Sequence, residues 1–161
     1  MGDRAENIAQ AIKALGERGI RVVRESSLYE TAPVGVRGHA WFLNGAVEAE
    51  TQMMPLQLMR ALLQIERALG RKRRPASPYP SELKDPRVID IDILLFGESM
   101  VHAPDLEIPH PRMAERRFVL VPLNEIAPDV RHPILKATIS ELLASTPDRS
   151  PVHPYRASQE S

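Results

Sequence analysis

The chain has 161 residues, 43% of them hydrophobic and 26% charged, a composition that suits one folded domain with a proper core and excludes a fibre or a disordered tail. Because its 21 basic and 21 acidic side chains balance, the overall charge favours neither a nucleic acid nor an anionic membrane as partner. Without cysteine it has neither disulfides nor thiolate zinc sites, and no apolar run reaches the ~18 residues that cross a bilayer, so we expect a cytoplasmic protein.

The first half of the chain predicts a helix, two strands and a second helix. Capping-box spacing at Asp3 and an apolar repeat predict a helix to about Glu17. Strands are expected over residues 20–27 and 41–51, on either side of a turn-rich stretch. Pro55 suits the first turn of the second helix, whose apolar stripe is expected to end at Gly70.

The second half is richer in proline and predicts shorter elements. Residues 71–86 have no hydrophobic period and hold four prolines, which predicts a mobile loop. The stretch RVIDIDILLF, residues 87–96, predicts a buried strand, and FGESMV after it a hairpin-like turn. A short helical signal follows over residues 112–117, and a capping box at Thr138 starts a last small helix. This order predicts an α+β layered domain over residues 1–146, with a flexible tail over residues 147–161.

Two carboxylates, Asp90 and Asp92, interrupt the most apolar segment of the chain. Because strand side chains alternate, both belong on one face, with Cα atoms about 6.5 to 7 Å apart. Two buried carboxylates would repel each other and lose their hydration, a cost that a divalent cation removes. Magnesium takes one or two carboxylates together with substrate phosphates, so the pair predicts a metal–nucleotide site. An amphipathic strand with a solvated charged face is the alternative.

Basic residues on both sides of this segment are candidates for binding a polyphosphate. Arginine makes bidentate contacts with phosphate, although a basic run also suits a solvated helix end, and a lone histidine is more often a packing residue. The aromatic and amide pair Phe42 and Asn44 could hold a flat heterocycle or belong to the core. No phosphate-binding P-loop and no G-x-S-x-G motif occur. The basic candidates are Arg71, Lys72, Arg73, Arg74, Arg87, His110, Arg112, Arg116 and Arg117.

The motif DPRVIDIDILLFG closely resembles the signature of the 6-hydroxymethyl-7,8-dihydropterin pyrophosphokinases, folate-pathway enzymes with a ferredoxin-like two-layer α/β sandwich and a mainly antiparallel sheet. LYETAPVG and FLNGAVEAET resemble the family's pterin-binding loop and strand. IERALGR resembles its helix end, and IPHPRMAERRFVLVPLNEIAP its nucleotide-binding segment. The resemblance extends from Gly2 to about Pro128, with the motifs in the family's order.

The resemblance implies magnesium-dependent transfer of pyrophosphate from ATP to 6-hydroxymethyl-7,8-dihydropterin, with release of AMP, by a monomer that uses two magnesium ions. It implies that Asp90 and Asp92 hold both ions, and that Phe42 and Phe118 lie on either side of the pterin ring. Asn44 and the chain around Thr31, Pro33 and Val34 would bind the polar edge of the pterin. The implied phosphate-binding residues are Arg71, Arg73, Arg87, His110 and Arg116, with Arg71 and Arg73 counted as catalytic together with the two aspartates.

The sequence departs from the family pattern at two places. The family's chain starts with a strand and a G-S-N-L-G-like turn, whereas Met1-Gly2-Asp3-Arg4 corresponds to the end of that turn, so we expect the sheet to lack that first strand. Lys84 stands where many members have a tryptophan, in a lengthened loop. These departures leave a second hypothesis, a catalytically silent binding or interaction domain derived from the family. A nucleic-acid binder fits poorly, because the chain is neutral and has few aromatic residues.

Overall fold

The structure, a computed structural model, describes residues 4–31, 42–73 and 89–156, with only the backbone of residues 71–73. In these ranges the helices and the antiparallel strand pairs give the α+β class expected from the sequence. The chain divides into two compact units, one from the described parts of residues 1–22 and 50–93 and the other from those of 23–49 and 94–161. The helices are α1 Arg4–Glu17, α2 Pro55–Arg73, α3 Arg117–Ile126 and α4 Ile139–Ser145; the strands are β1 Arg21–Glu25, β2 Tyr29–Thr31, β3 Phe42–Asn44, β4 Val47–Glu50, β5 Val101–Ala103, β6 Leu106–Ile108 and β7 His153–Pro154.

The first unit is built on the packing of α1 against α2. Their apolar stripes form a buried cluster, and Gly19 ends the first helical unit with a positive φ of 83°, a conformation that glycine adopts without steric cost. The predicted end of the second helix at Gly70 is wrong, because α2 continues to Arg73. A glycine inside a helix costs only about 1 kcal/mol, and arginine and lysine, which follow it, favour the helix. The buried cluster is Ala11, Leu15, Ile20, Ala61, Leu62, Ile65 and Leu69.

The segment that contains the two aspartates is not a strand of the described structure. Residues 89–96 have no strand assignment, so the buried strand predicted over residues 87–96 is wrong for these eight residues. The predicted alternation is nevertheless present from Ile89 to Ile93: the isoleucines pack against the first core, and Asp90 and Asp92 are exposed. Side-chain alternation needs only an extended chain, whereas a strand assignment needs ladder partners.

In the second unit β2 is the central strand of a three-stranded antiparallel sheet, between β3 and β7. The single strand predicted over residues 41–51 is divided at Gly45, so that β3 pairs with β2, and β4 with β1. At the division, Ser26 donates its backbone N–H to Ala46, and Ala46 donates its own to the Ser26 hydroxyl, both at 2.9 Å. A Cβ on Gly45 would lie 3.0 Å from the Leu28 side chain, so this position favours glycine.

Helices α3 and α4 carry the second core. The short helical signal near residues 112–117 corresponds to a 3₁₀ turn, Met113–Glu115, and to the start of α3, which continues to Ile126 with Pro122 inside it. The predicted helical signal therefore covers only the start of this helical region, and Pro122, a residue that usually interrupts a helix, lies within α3. The capping box before α4 is confirmed: the Thr138 hydroxyl accepts the Glu141 N–H at 3.1 Å, and the Glu141 carboxylate accepts the Thr138 N–H at 2.9 Å. No helix in the described ranges is long and apolar enough to span a membrane.

The chain after Thr146 makes specific contacts, contrary to the flexible tail that the sequence predicted. Asp148 Oδ2 accepts the backbone N–H of Arg117 at 2.7 Å, at the start of α3. Strand β7 pairs with β2, and the Tyr155 N–H donates to the Leu28 carbonyl at 2.9 Å. Residues 147–156 therefore belong to the fold, and residues 157–161 lie outside the described residues.

Replacing Asp148 by alanine should lower the free energy of unfolding by about 1 kcal/mol, the usual effect of removing an acceptor from a helix N-terminus. Hydrogen bonds from Ser150 and from the Arg117 backbone lower the pKa of Asp148. Its contribution is therefore present above the carboxyl's usual pKa and disappears as the pH falls through the lowered value. Urea titration at pH 7 and pH 3 measures both effects. The exposed Asp105, replaced in the same way, should change stability by less than about 0.5 kcal/mol; equal effects of the two substitutions would contradict the capping role.

Candidate functional site

The two aspartates lie on the solvent side of a segment whose other side is attached to the first core. Asp90 and Asp92 are exposed, so the expectation that they are buried is wrong. Between them, Ile91 packs its side chain against the core and donates its backbone N–H to Oε2 of Glu66 on α2 at 2.5 Å. The segment thus presents two carboxylates to solvent from a backbone that is held in place.

The donor set suits a hard divalent cation with a second, external ligand. The described residues contain no group of three or more acidic or histidine side chains that could hold a metal by themselves. Magnesium commonly takes one or two carboxylates and completes its shell with phosphate oxygens and water. Asp90 and Asp92 therefore fit magnesium together with a phosphate ligand better than a metal held by the protein alone.

Two of the predicted phosphate-binding arginines lie on a helix. Arg71 and Arg73 belong to the last turn of α2, so the expectation that they lie in the mobile loop is wrong for their backbones. Arg87, Pro33 and Val34 lie outside the described residues, as does Lys84.

Strands β2 and β3 bring together three of the predicted pterin-binding residues in the second unit. Thr31 lies opposite Phe42, and Tyr29 opposite Asn44, so all four side chains share one face of the pair. Asn44 Nδ2 donates to the Thr31 hydroxyl at 3.2 Å, and Thr31 is only 6% exposed. This bond orients the Asn44 amide. Phe42 beside it is 58% exposed, so its ring is accessible to a ligand.

Helix α3 carries Phe118 on the same helical face as a residue bonded to this sheet. Glu125 follows Phe118 by seven residues, about two turns, and accepts a hydrogen bond from the Tyr29 hydroxyl at 2.7 Å. Arg24 of β1 donates to the carbonyl of Ile126, the last residue of α3, at 3.1 Å. The C-terminal end of α3 is therefore bonded to both β1 and β2.

Two of the predicted phosphate-binding side chains are positioned by local contacts in the second unit. The Arg116 guanidinium lies 5.8 Å from the centre of the Phe118 ring, within the range of a cation–π interaction. His110 Nδ1 accepts the Arg112 backbone N–H at 3.1 Å, so a neutral ring carries its proton on Nε2. An imidazole N–H of this kind can donate to a phosphate oxygen.

No sequence motif predicted a role for the Glu125 carboxylate. In the structure it connects α3 to β2 and to the residues just before β2. It accepts hydrogen bonds from the Tyr29 hydroxyl and, at 3.0 Å each, from the N–H and hydroxyl of Ser27. The bond from Tyr29 lowers the pKa of Glu125, and the same bond raises the pKa of Tyr29 to about 12. Its partners are distant in sequence, so no local pattern could have identified it.

Replacing Glu125 by glutamine should destabilise the protein by about 1 kcal/mol at pH 7, since the bonds are charge-assisted but exposed. The pKa of Glu125 is lowered in the folded state, so its contribution is present above the usual glutamate pKa and is lost as the pH falls through the lowered value. The pKa of Tyr29 is raised to about 12, so the contribution of Tyr29 to stability is present below the usual tyrosine pKa and is lost as the pH rises through about 12. Thermal unfolding of parent and variant between pH 3 and pH 7 measures the acid limb. The exposed Glu98, changed to glutamine, is the control; an E125Q deficit independent of pH would contradict the assignment.

The comparisons with known proteins all point to the same family. The profile of the 7,8-dihydro-6-hydroxymethylpterin-pyrophosphokinase family matches residues 1–128. The chain is 43% identical to the 2-amino-4-hydroxy-6-hydroxymethyldihydropteridine pyrophosphokinase of Bacillus subtilis over 132 residues, 81% of this chain and 74% of the relative. It is 44% identical to the protein of the same name from Methylorubrum extorquens over 131 residues, 81% of this chain and 78% of the relative.

A longer relative matches as well. The folic acid synthesis protein fol1 of Schizosaccharomyces pombe is 39% identical over 150 residues, which cover 92% of this chain and only 20% of that protein. The chain thus spans a fifth of the length of this relative and about three quarters of the two bacterial ones. None of these likenesses favours the catalytically silent alternative.

Proposed function

The chain belongs to the 7,8-dihydro-6-hydroxymethylpterin-pyrophosphokinase family, and we propose that it transfers the terminal pyrophosphoryl group of ATP to the hydroxymethyl group of 6-hydroxymethyl-7,8-dihydropterin. The substrate oxygen forms a bond to the β-phosphorus, and the bond between that phosphorus and the oxygen on the α-phosphate breaks. AMP leaves, and the hydroxyl proton passes to solvent. The observation that carries the proposal is the exposed pair Asp90 and Asp92 within the family's matched region.

We propose that Asp90 and Asp92 hold two magnesium ions against the phosphates of ATP. When bound, magnesium neutralises the polyphosphate and polarises the phosphorus that is attacked. Phosphoryl transfer of this type depends on positioning and charge neutralisation more than on a covalent nucleophile. In the proposal the cationic contacts come from the family-implied residues Arg71, Arg73, Arg87, His110 and Arg116.

For the pterin, the proposal gives three described residues direct contacts and one a supporting role. Phe42 and Phe118 stack against the two faces of the ring, and Asn44 binds its polar edge through the amide carbonyl. Thr31, which is buried and bonded to Asn44, orients that amide. Pro33 and Val34 remain part of the proposed pterin loop through the family resemblance.

Product analysis tests the proposal directly. Purified protein with ATP, magnesium and 6-hydroxymethyl-7,8-dihydropterin should yield AMP and pterin pyrophosphate in equal amounts, by chromatography and ³¹P NMR, and neither when one substrate is omitted. Release of ADP, or of AMP without a pterin product, would contradict it.

We also propose that the enzyme acts as a monomer and lies in the cytoplasm. Light scattering during size-exclusion chromatography tests the first of these proposals, and fractionation of the source cells tests the second.

A further inference from the structure

A buried carboxylate lies behind the aspartate pair. Glu66 belongs to α2 and is 9% exposed, and its neighbours on the same helix, Leu62, Ile65 and Leu69, belong to the first core. A carboxylate in such surroundings is costly unless it accepts hydrogen bonds. One of its bonds is the 2.5 Å contact from the backbone N–H of Ile91 to Oε2, which joins residues 25 apart in sequence.

This contact falls at the centre of the D-x-D motif. Ile91 separates Asp90 from Asp92, and its side chain packs against the same core that surrounds Glu66. The peptide group of Ile91 is therefore held both through its side chain and through its N–H. In an extended chain the directions of successive Cα–Cβ bonds follow from the backbone, so a fixed peptide between the aspartates limits the directions from which the two carboxylates can extend.

Glu66 also provides the hydrogen-bond acceptor that a neighbouring strand would otherwise provide for Ile91. An N–H in a sheet would donate to the carbonyl of a neighbouring strand, and the N–H of Ile91 donates to a side chain from α2. A carboxylate acceptor makes a stronger bond than a neutral carbonyl. Glu66 on α2 thus takes the place of a strand partner at Ile91, between the two aspartates.

We propose that Glu66 is a positioning residue for the metal–nucleotide site: by holding the Ile91 N–H it sets the relative orientation of the Asp90 and Asp92 carboxylates. The inference rests on the proposed function, because it takes the two aspartates as the ligands of a nucleotide-bound divalent ion. Glu66 acts through the backbone and touches neither metal nor substrate.

Two substitutions separate the reach of the side chain from its charge. Glu66→Asp keeps the charge and withdraws the carboxylate by about 1.5 Å, the length of one carbon–carbon bond. Glu66→Gln keeps the reach and an amide oxygen as acceptor but removes the charge. Calorimetry with Mn²⁺ and a non-hydrolysable ATP analogue measures affinity, NMR hydrogen exchange measures the protection of the Ile91 amide without ligand, and thermal unfolding measures stability.

We expect E66D to bind the Mn²⁺–nucleotide complex about 10- to 100-fold more weakly than the parent, the usual effect of removing a group that orients a metal ligand. The Ile91 amide should exchange at least about tenfold faster in E66D, since its acceptor has moved away. E66Q should stay within about fivefold of the parent in affinity, with Ile91 still protected, because a neutral acceptor is weaker but in place.

Other outcomes overturn the proposal. Parent-like affinity in E66D with a lowered melting temperature would make Glu66 a purely structural residue. A loss of affinity well beyond about fivefold in E66Q, with the Ile91 amide still protected, would show that the charge of Glu66 matters apart from its hydrogen bond to Ile91. This comparison of E66Q with the parent decides the question even if E66D fails to fold. A parent that binds Mn²⁺ and nucleotide but forms no AMP would refute the proposed function and leave the Glu66 inference standing.

Discussion

Replacing Asp92 by alanine should reduce the rate of AMP formation by at least about 100-fold. Asp92 is exposed and lies on the solvent side of a segment attached to the core through its neighbours, so its removal leaves the packing of Ile91 and Ile93 intact. The loss should therefore appear in catalysis and in divalent-ion affinity, with a melting temperature close to that of the parent. Initial rates of AMP release at several magnesium concentrations measure it.

Asp105 provides a matched control for this experiment. It is also an exposed aspartate, in the turn between β5 and β6, and Asp105→Ala should leave the rate within about twofold of the parent. If D92A retains the parent's rate at all magnesium concentrations, the pair is a solvated charged face, the alternative that the sequence left open, and the proposed metal site is wrong.

Replacing Asn44 by alanine should raise the KM for the pterin about 10- to 100-fold, the range expected when a polar edge of a ligand loses its partner in a partly enclosed site. The KM for ATP should change by less than about twofold, because Asn44 is assigned only to the pterin. Phe42, its neighbour on β3, remains in place to stack on the ring. Steady-state kinetics with each substrate varied in turn separates the two constants.

Thr31→Val refines this test. Valine keeps the size of the buried side chain and removes the hydroxyl that accepts from Asn44 Nδ2. We expect a smaller increase in the pterin KM, about three- to tenfold, because the amide is present but less well oriented. Asn7→Ala on α1 is the control for a loss of an asparagine elsewhere. A pterin KM that is unchanged in N44A would contradict the assigned pterin edge.

The features that sequence reasoning predicted correctly depend on short separations along the chain. The alternation of isoleucines with Asp90 and Asp92 follows from a period of two residues, and the capping box of Thr138 and Glu141 from a spacing of three. The contact between Thr31 and Asn44 was not predicted. Both residues were identified as candidates through the family resemblance, but their mutual hydrogen bond follows only from the register of β2 and β3.

The errors arose where local preference and tertiary context disagree. Gly70 and Pro122 are residues that end helices, yet α2 and α3 contain them, because packing of the apolar faces outweighs a local cost. The proline-rich, polar chain after Thr146 has the composition of a tail. It contributes Asp148 to α3 and a strand to β2 because those elements present a backbone N–H and an open strand edge.

By itself, the sequence determined the α+β class, the family, the candidate residues and the shared face of the two aspartates, since each depends on composition, motif or period. Only the tertiary structure decided which hydrogen bonds join residues that are far apart in the sequence. Ile91 bonds to Glu66 across 25 residues, Arg117 to Asp148 across 31, and Tyr29 to Glu125 across 96. A hydrogen bond needs its two atoms within about 3 Å, and for residues so far apart in sequence that proximity is produced by the packing of the core, which no local pattern specifies.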